Sequence, residues 1–431
     1  EQMDKNITSK FVGYDKLENE SVISTIATED EIVEAITDGD MGTIVVDETV
    51  FYATMGGQAG DIGVITNGDS EFEVKDTIKL LGGKIGHIGQ VTKGMFSVGD
   101  NVTLKVNKHN REDTGKNHSA THLLQKALKI VLGDHIEQAG SLVTADRLRF
   151  DFTHFNPMTT QEIAKVEMLV NKFILSASSV TMQEMPIEEA KKMGAMMLFG
   201  EKYGDIVRVV KAGDFSTEFC GGTHVANSGE IGLFKIVSEA SVAAGVRRIT
   251  AYTGLGSLAY LNLNEMAVKT VASILKTSEN EVVERTQAVI SDNKEMEKEI
   301  QALNAEITKL KSADMFSKPT LVDGLELYIA KIEGTTPDAL RSMGDDLKNK
   351  GDNVVALIAG VNGDKANLVA VCGKNAIAKG VKAGDLVREI AKLAGGGGGG
   401  RPDSAMAGAK DISKLDGALA AVEQTVKSLI K

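Results

Sequence analysis

Hydrophobic and polar positions along the 431-residue chain change their rhythm three times. Across residues 8–110 the apolar residues come in short runs, such as 43–47, 51–53, 72–74 and 102–106, punctuated by Gly56-Gly57, Gly82-Gly83 and Gly99-Asp100. Short runs between glycine turns predict strands that close into a small barrel. Residues 29–37 read as the single helix of this region. From about residue 114 the period lengthens, and Leu123, Leu124, Ala127, Leu128 and Val131 share one helical face that stops at Gly133. A second helix is signalled by Thr159 and Glu162 as a capping box, followed by Ile163, Val166, Val170, Phe173 and Ile174. Strands are expected at 136–143, 147–152, 206–210, 233–237 and 247–252. Their alternation with helices predicts an α+β domain.

The third rhythm is a heptad. Val282, Thr286, Val289, Asn293, Met296, Ile300, Leu303, Ile307 and Leu310 recur at spacings of four and three, with Lys and Glu between them. That is a coiled-coil seam, long enough to pair with a helix over 263–276 or with a second copy of the chain, and Asn293 would set its register. Beyond Pro319, strands at 321–329, 354–358 and 367–371 and helices at 336–348, 385–393 and 419–429 predict a compact α/β domain. Inside it stand six glycines, Gly395 to Gly400, followed by Arg401-Pro402-Asp403. A glycine run is ordinarily a flexible linker. Set between a helix and Arg-Pro-Asp within a folded unit, it also lets backbone N–H groups approach a phosphate. The expected division is a β-barrel over 1–110, an α+β domain over 111–260, a helical coiled-coil connector over 261–316 and a C-terminal α/β domain over 317–431.

Composition narrows the class. The length calls for more than one core, and 42% hydrophobic with 25% charged residues is ordinary for a globular protein. There is no membrane-length apolar run and no signal segment, so a cytoplasmic location is expected. Of the two cysteines, Cys372 has no evident disulfide partner, which fits a reducing compartment. A net charge of −12 argues against broad nucleic-acid binding. The acids are unevenly spread, however: residues 1–50 are acid-rich, whereas from Phe316 onward 16 Lys and Arg face 14 Asp and Glu, so local basic patches survive.

The chemistry concentrates in two short stretches. His118 and His122 stand at i and i+4, which puts both imidazoles on one helical face, and Cys220 and His224 repeat the separation across Gly221-Gly222. Either pair alone would be unremarkable. The chain has only seven histidines and two cysteines, and three of one with one of the other form a tetrahedral zinc set. A zinc peptidase would need Glu directly after the first histidine, and position 119 is Ser. Met55-Gly-Gly-Gln-Ala-Gly-Asp61 reads as a tight hairpin.

His118-Ser-Ala-Thr-His122, Gln138-Ala-Gly-Ser-Leu142, Arg149-Phe-Asp-Phe152 and Phe215-Ser-Thr-Glu-Phe-Cys-Gly-Gly-Thr-His224 together resemble the editing domain of bacterial alanyl-tRNA synthetase. The likeness runs from residue 11 to the C-terminus. In that family an acidic residue precedes the glycines of the 55–61 segment; Thr54 and Met55 stand there here, so no catalytic role is expected of it. The aminoacylation domain, and the ATP it uses, are expected to be absent. The glycine run resembles the C-terminal domain that these synthetases share with certain phosphodiesterases, which holds tRNA and aids dimerisation.

The resemblance implies a zinc-containing editing domain, with one Zn2+ per chain on His118, His122, Cys220 and His224. The implied activity is deacylation of Ser-tRNA(Ala) and Gly-tRNA(Ala). Thr121, Gln138 and Ser141 are the candidate catalytic residues, and Arg247, Arg248 and Arg401 the candidate tRNA contacts. A homodimer is implied as well. A free-standing trans-editing deacylase, or a non-catalytic RNA-binding and dimerisation module, are the alternatives.

Overall fold

A computed structural model describes residues 7–197 and 204–431. The chain divides into two compact units, Glu1–Ile274 and Leu275–Lys431. No helix among the described residues is long and apolar enough to cross a membrane.

The first unit opens with six antiparallel strands: β1 (Glu18–Ala27), β2 (Met41–Val46), β3 (Gly63–Asn67), β4 (Ser70–Lys79), β5 (Ile85–Lys93) and β6 (Asn101–Val106). Their order is β6-β3-β4-β5-β2-β1, and pairing of β6 back onto β1 closes the barrel. Alternate residues point inward, so Phe72 with Val74 and Val102 with Leu104 are buried along with Ile26, Ile44 and Ile65. The expected helix over 29–37 is not formed. Ile32–Val33 and Ala35–Thr37 are short strands instead, the latter antiparallel to Met95–Ser97 with Ile36 buried. The β-branched residues in this stretch suit a ladder better than a helix, and partner strands lie within reach.

The second half of this unit begins with α1 (Lys108–Leu132), which starts six residues before the expected boundary because the Asn107 side chain caps it by accepting from the Asn110 N–H. Then come β7 (Gln138–Val143), β8 (Leu148–Thr153), α2 (Thr160–Leu175), β9 (Val180–Pro186), β10 (Ile206–Ala212), β11 (Ser216–Phe219), β12 (Phe234–Ala243) and β13 (Val246–Thr253). The capping box of Thr159 and Glu162 forms as expected. One sheet runs β7-β8-β13-β12 and another β9-β10-β11. Leu124, Leu128, Phe150, Phe152, Val166, Val170 and Ile249 fill the core between α1, α2 and the four-stranded sheet. Helix α3 (Gly254–Leu275) follows.

In the second unit, α4 (Val282–Met315) carries the heptads. Its seam is open in the single chain: Ile300 is 57% and Leu303 49% exposed. After it, β14 (Thr320–Val322), β15 (Leu325–Glu333), α5 (Pro337–Lys348), β16 (Val354–Asn362), β17 (Lys365–Cys372), α6 (Ala383–Leu393), β18 (Gly397–Gly400) and β19 (Ser404–Ala409) build a sheet ordered β14-β15-β16-β17-β19-β18. Both faces are covered, so β16 reads as one continuous apolar run. The last four glycines of the run are not a linker but the edge strand β18. A Cβ on Gly396 would lie 1.8 Å from the Gly408 carbonyl oxygen, and one on Gly398 2.4 Å from that of Met406, so close strand approach explains these two glycines.

Candidate functional site

Helix α1 presents His118 and His122 one turn apart, their rings stacked with centroids 5.3 Å apart. Just past β11, the Cys220-Gly-Gly-Thr-His224 turn brings the other two donors to the same point. The four ligand atoms lie within 4.8 Å of one another. Cys220 Sγ is 3.4 Å from His118 Nε2 and 3.3 Å from His224 Nε2.

What surrounds the imidazoles decides which nitrogen faces inward. His118 Nδ1 is 2.7 Å from Gln58 Oε1, His122 Nδ1 contacts Glu218 Oε2, and His224 Nδ1 is 3.1 Å from Ser119 Oγ. Amide and carboxylate oxygens only accept, so His118 and His122 carry a proton on Nδ1 and turn Nε2 toward the cluster. His122 Nε2 is buried and makes no hydrogen bond within the protein. A buried ring nitrogen with no protein partner, aimed where a thiol and two more imidazoles converge, fits a metal ligand set.

The electrostatics agree. Burial alone would push the Cys220 thiol up, yet the imidazoles of His118, His224 and His122 outweigh it and hold the thiol well below its ordinary value. Burial likewise opposes charge on His122. The Glu218 carboxylate and Cys220 prevail and hold that imidazole well above its usual pKa. Burial takes His224 the other way, down to about 3. Glu218 backs His122 from the far side, so the anion facing the donors is the Cys220 thiolate, and a cation bound there would balance it and displace the His122 Nε2 proton.

His118, His122 and Cys220 form one wall of a cavity of about 320 Å³. The three candidate catalytic residues, Thr121, Gln138 and Ser141, line it too. Thr121 Oγ1 donates to the Asn117 carbonyl at 2.8 Å, leaving its lone pairs to accept. Arg247 and Arg248 are not on this wall. Each is committed to a carboxylate across the sheet: Arg247 to Glu239 at 2.5 and 2.7 Å, Arg248 to Asp151 at 2.6 and 2.7 Å. Arg401 belongs to the second unit, where its side chain is 79% exposed and 3.4 Å from Asp403.

The 55–61 segment turns out to matter. Met55 and Gln58 bridge as a hairpin would, with Gly56 and Gly57 at φ 61° and 84°, and the turn delivers Gln58, fully buried, to His118. Gln58 Oε1 also accepts from the Thr223 N–H at 2.9 Å, and its Nε2 donates to Thr223 Oγ1 at 2.9 Å. Glu218 was missed as well. Its signal is the strand period, which puts residues two apart on one face and so aligns Glu218 with Cys220.

Known proteins share sequence with this chain along its whole length. Residues 1–110 match the tRNA synthetases class II (A) family, residues 207–250 the threonyl and alanyl tRNA synthetase second additional domain, and residues 324–428 the DHHA1 domain. The second of these takes in Cys220 and His224. An alanine–tRNA ligase 1 from Lachnoclostridium phytofermentans is 49% identical over 431 residues, covering 100% of this chain and 49% of that protein. An alanine–tRNA ligase from Alkaliphilus oremlandii is 47% identical over 422 residues, covering 98% and 48%. A crystal structure of the C-Ala domain from Aquifex aeolicus alanyl-tRNA synthetase covers 26% of this chain and 98% of that one, at 33% identity and a TM-score of 0.24. The chain belongs to the alanyl-tRNA synthetase family. It spans about half the length of the curated relatives it matches.

Proposed function

We propose that this chain edits tRNA: it hydrolyses the ester joining serine or glycine to tRNA(Ala) and leaves Ala-tRNA(Ala) intact. The observation that carries this reading is the convergence of four metal donors, three of which (His118, His122 and Cys220) line a cavity that also presents Thr121, Gln138 and Ser141. Chemical need supports it. A synthetic site sized for alanine does not exclude glycine and rejects serine weakly, so a second sieve is required.

In the reaction a water oxygen adds to the ester carbonyl carbon and the bond to the ribose oxygen breaks. The amino acid leaves as a carboxylic acid, and the ribose oxygen takes up the water's other proton to become a hydroxyl. A zinc ion, one per chain, on His118, His122, Cys220 and His224 would supply Lewis-acid polarisation or an anchor for the terminal ribose. Thr121 accepts the serine hydroxyl proton in a hydrogen bond, and Gln138 orients the water. Ser141 is the nearest alternative to either. Alanine would leave the hydroxyl-recognising groups unpaired, which favours serine over alanine; glycine lacks the same hydroxyl, so its acceptance would rest on its smaller size.

The second unit would hold the rest of the tRNA, with the exposed Arg401 a better cation for that than Arg247 or Arg248. The open seam of α4 would pair with a second copy. Purified chain incubated with Ser-, Gly- and Ala-tRNA(Ala) tests the reading. Release of serine and glycine but not alanine is expected, and no release from any of the three overturns it.

A further inference from the structure

Arg208, on β10, is used by nothing described so far. Its guanidinium lies 4.0 Å over the Tyr14 ring, and its Nη1 donates to the carbonyl oxygens of Gly222 at 2.7 Å and Cys220 at 3.2 Å. The Tyr14 hydroxyl takes the carbonyl between them, Gly221, at 2.7 Å. Stacking and these hydrogen bonds fix the guanidinium plane and leave Nε and Nη2 unassigned. Glu184 stands opposite it in the β9–β10 register, yet Arg208 forms no ion pair among the described residues.

It is also the one guanidinium or ammonium on the wall of the metal-site cavity, among the described residues. The same side chain lines the adjoining cleft of about 650 Å³, together with Lys16 and Lys116. Arg208 therefore stands at the join between the two spaces, hydrogen-bonded to the backbone of a metal-ligating residue.

We propose that Arg208 binds the phosphodiester immediately 5′ of the terminal adenosine when the aminoacyl ester sits at the metal site. This rests on the editing function proposed above. An aminoacyl-adenosine end carries no carboxylate, since that group is esterified, and its amino group is cationic. The only anion within one nucleotide of the ester is the phosphate. A stacked arginine without a carboxylate partner is suited to it: the planar fork pairs with two phosphate oxygens and little side-chain freedom is lost on binding.

Two small substrates separate this role from that of a mere clamp on the Cys220 turn. Seryl-adenosine lacks the phosphodiester, and serylated cytidylyl-adenosine has one. With the whole chain, the phosphate-bearing ester is expected to show the lower KM, and in Arg208→Gln that KM advantage should shrink about tenfold. Arg208→Lys should restore part of it. If Arg208→Gln slows both esters equally, so that their KM ratio is that of the unaltered chain, the arginine only props the turn and the proposal is wrong. If the unaltered chain hydrolyses neither ester nor Ser-tRNA(Ala), the editing function itself fails and this inference goes with it.

Discussion

The carboxamide oxygen of Gln58 lies 2.7 Å from Nδ1 of His118, 60 positions away, and 2.9 Å from the backbone N–H of Thr223. A single barrel turn thus touches both halves of the metal site, the helix that carries two imidazoles and the turn that carries the thiol. Gln58→Ala would strand two buried donors, at about 1–3 kcal/mol each. It would also release the His118 ring, and outer partners of this kind are worth about 10–100-fold in metal affinity. Competition against a zinc chelator should show that loss, and an unchanged competition curve would remove Gln58 from the site.

His87 gives the barrel a pH signature. It is buried, with Nδ1 2.8 Å from the Ile44 carbonyl and Nε2 2.8 Å from Thr49 Oγ1, and burial lowers its pKa to about 4. The carbonyl must accept from Nδ1–H, so Nε2 takes the threonine proton and the ring is neutral. An unfolded histidine titrates near the ordinary 6.5. Between that pH and about 4 the unfolded chain therefore binds the extra proton. Stability contributed by the neutral ring is complete above pH 6.5 and falls by up to about 3 kcal/mol as pH drops to 4. Urea midpoints of the parent and His87→Gln should converge over that window. Parallel midpoint-versus-pH curves would show that His87 is not the group responsible.

Thr121 is the candidate for telling serine from alanine. Its hydroxyl donates to Asn117 O and can still accept. Thr121→Val should slow serine release and lower the serine-to-alanine rate ratio about tenfold or more, with zinc content unchanged. An unaltered ratio would pass the role to Gln138.

The seam of α4 predicts assembly. Ile300 and Leu303, exposed in the single chain, should be covered in a dimer, and replacing both with Asp should give monomers by sedimentation. A parent chain that is monomeric at high concentration would rule out pairing through this helix.

Much of this was legible in the residues. The four donors were found by spacing because a helix turn and a glycine turn each bring i and i+4 together, and the barrel by its glycine-bounded apolar runs. What spacing does not show is contact across distance. Gln58 and His118 meet only because the barrel and α1 fold against each other, and a buried glutamine at the end of a hairpin looks like any other turn residue. The 29–37 segment, read as a helix, failed for a related reason: the strand at Met95–Ser97 that captures Ala35–Thr37 lies about 60 residues on. Gly395 to Gly400 read as a linker or as backbone open to a phosphate, and the neighbour that makes Gly397–Gly400 a strand, β19, comes afterwards in the chain.

The most direct test of the account is the rate at which the 431-residue chain releases serine from Ser-tRNA(Ala), set against its Cys220→Ala variant. The account predicts rapid release by the parent chain and a loss of at least about 100-fold in the variant, because removing the one thiolate opens the ligand set. Equal rates for the two proteins would contradict it.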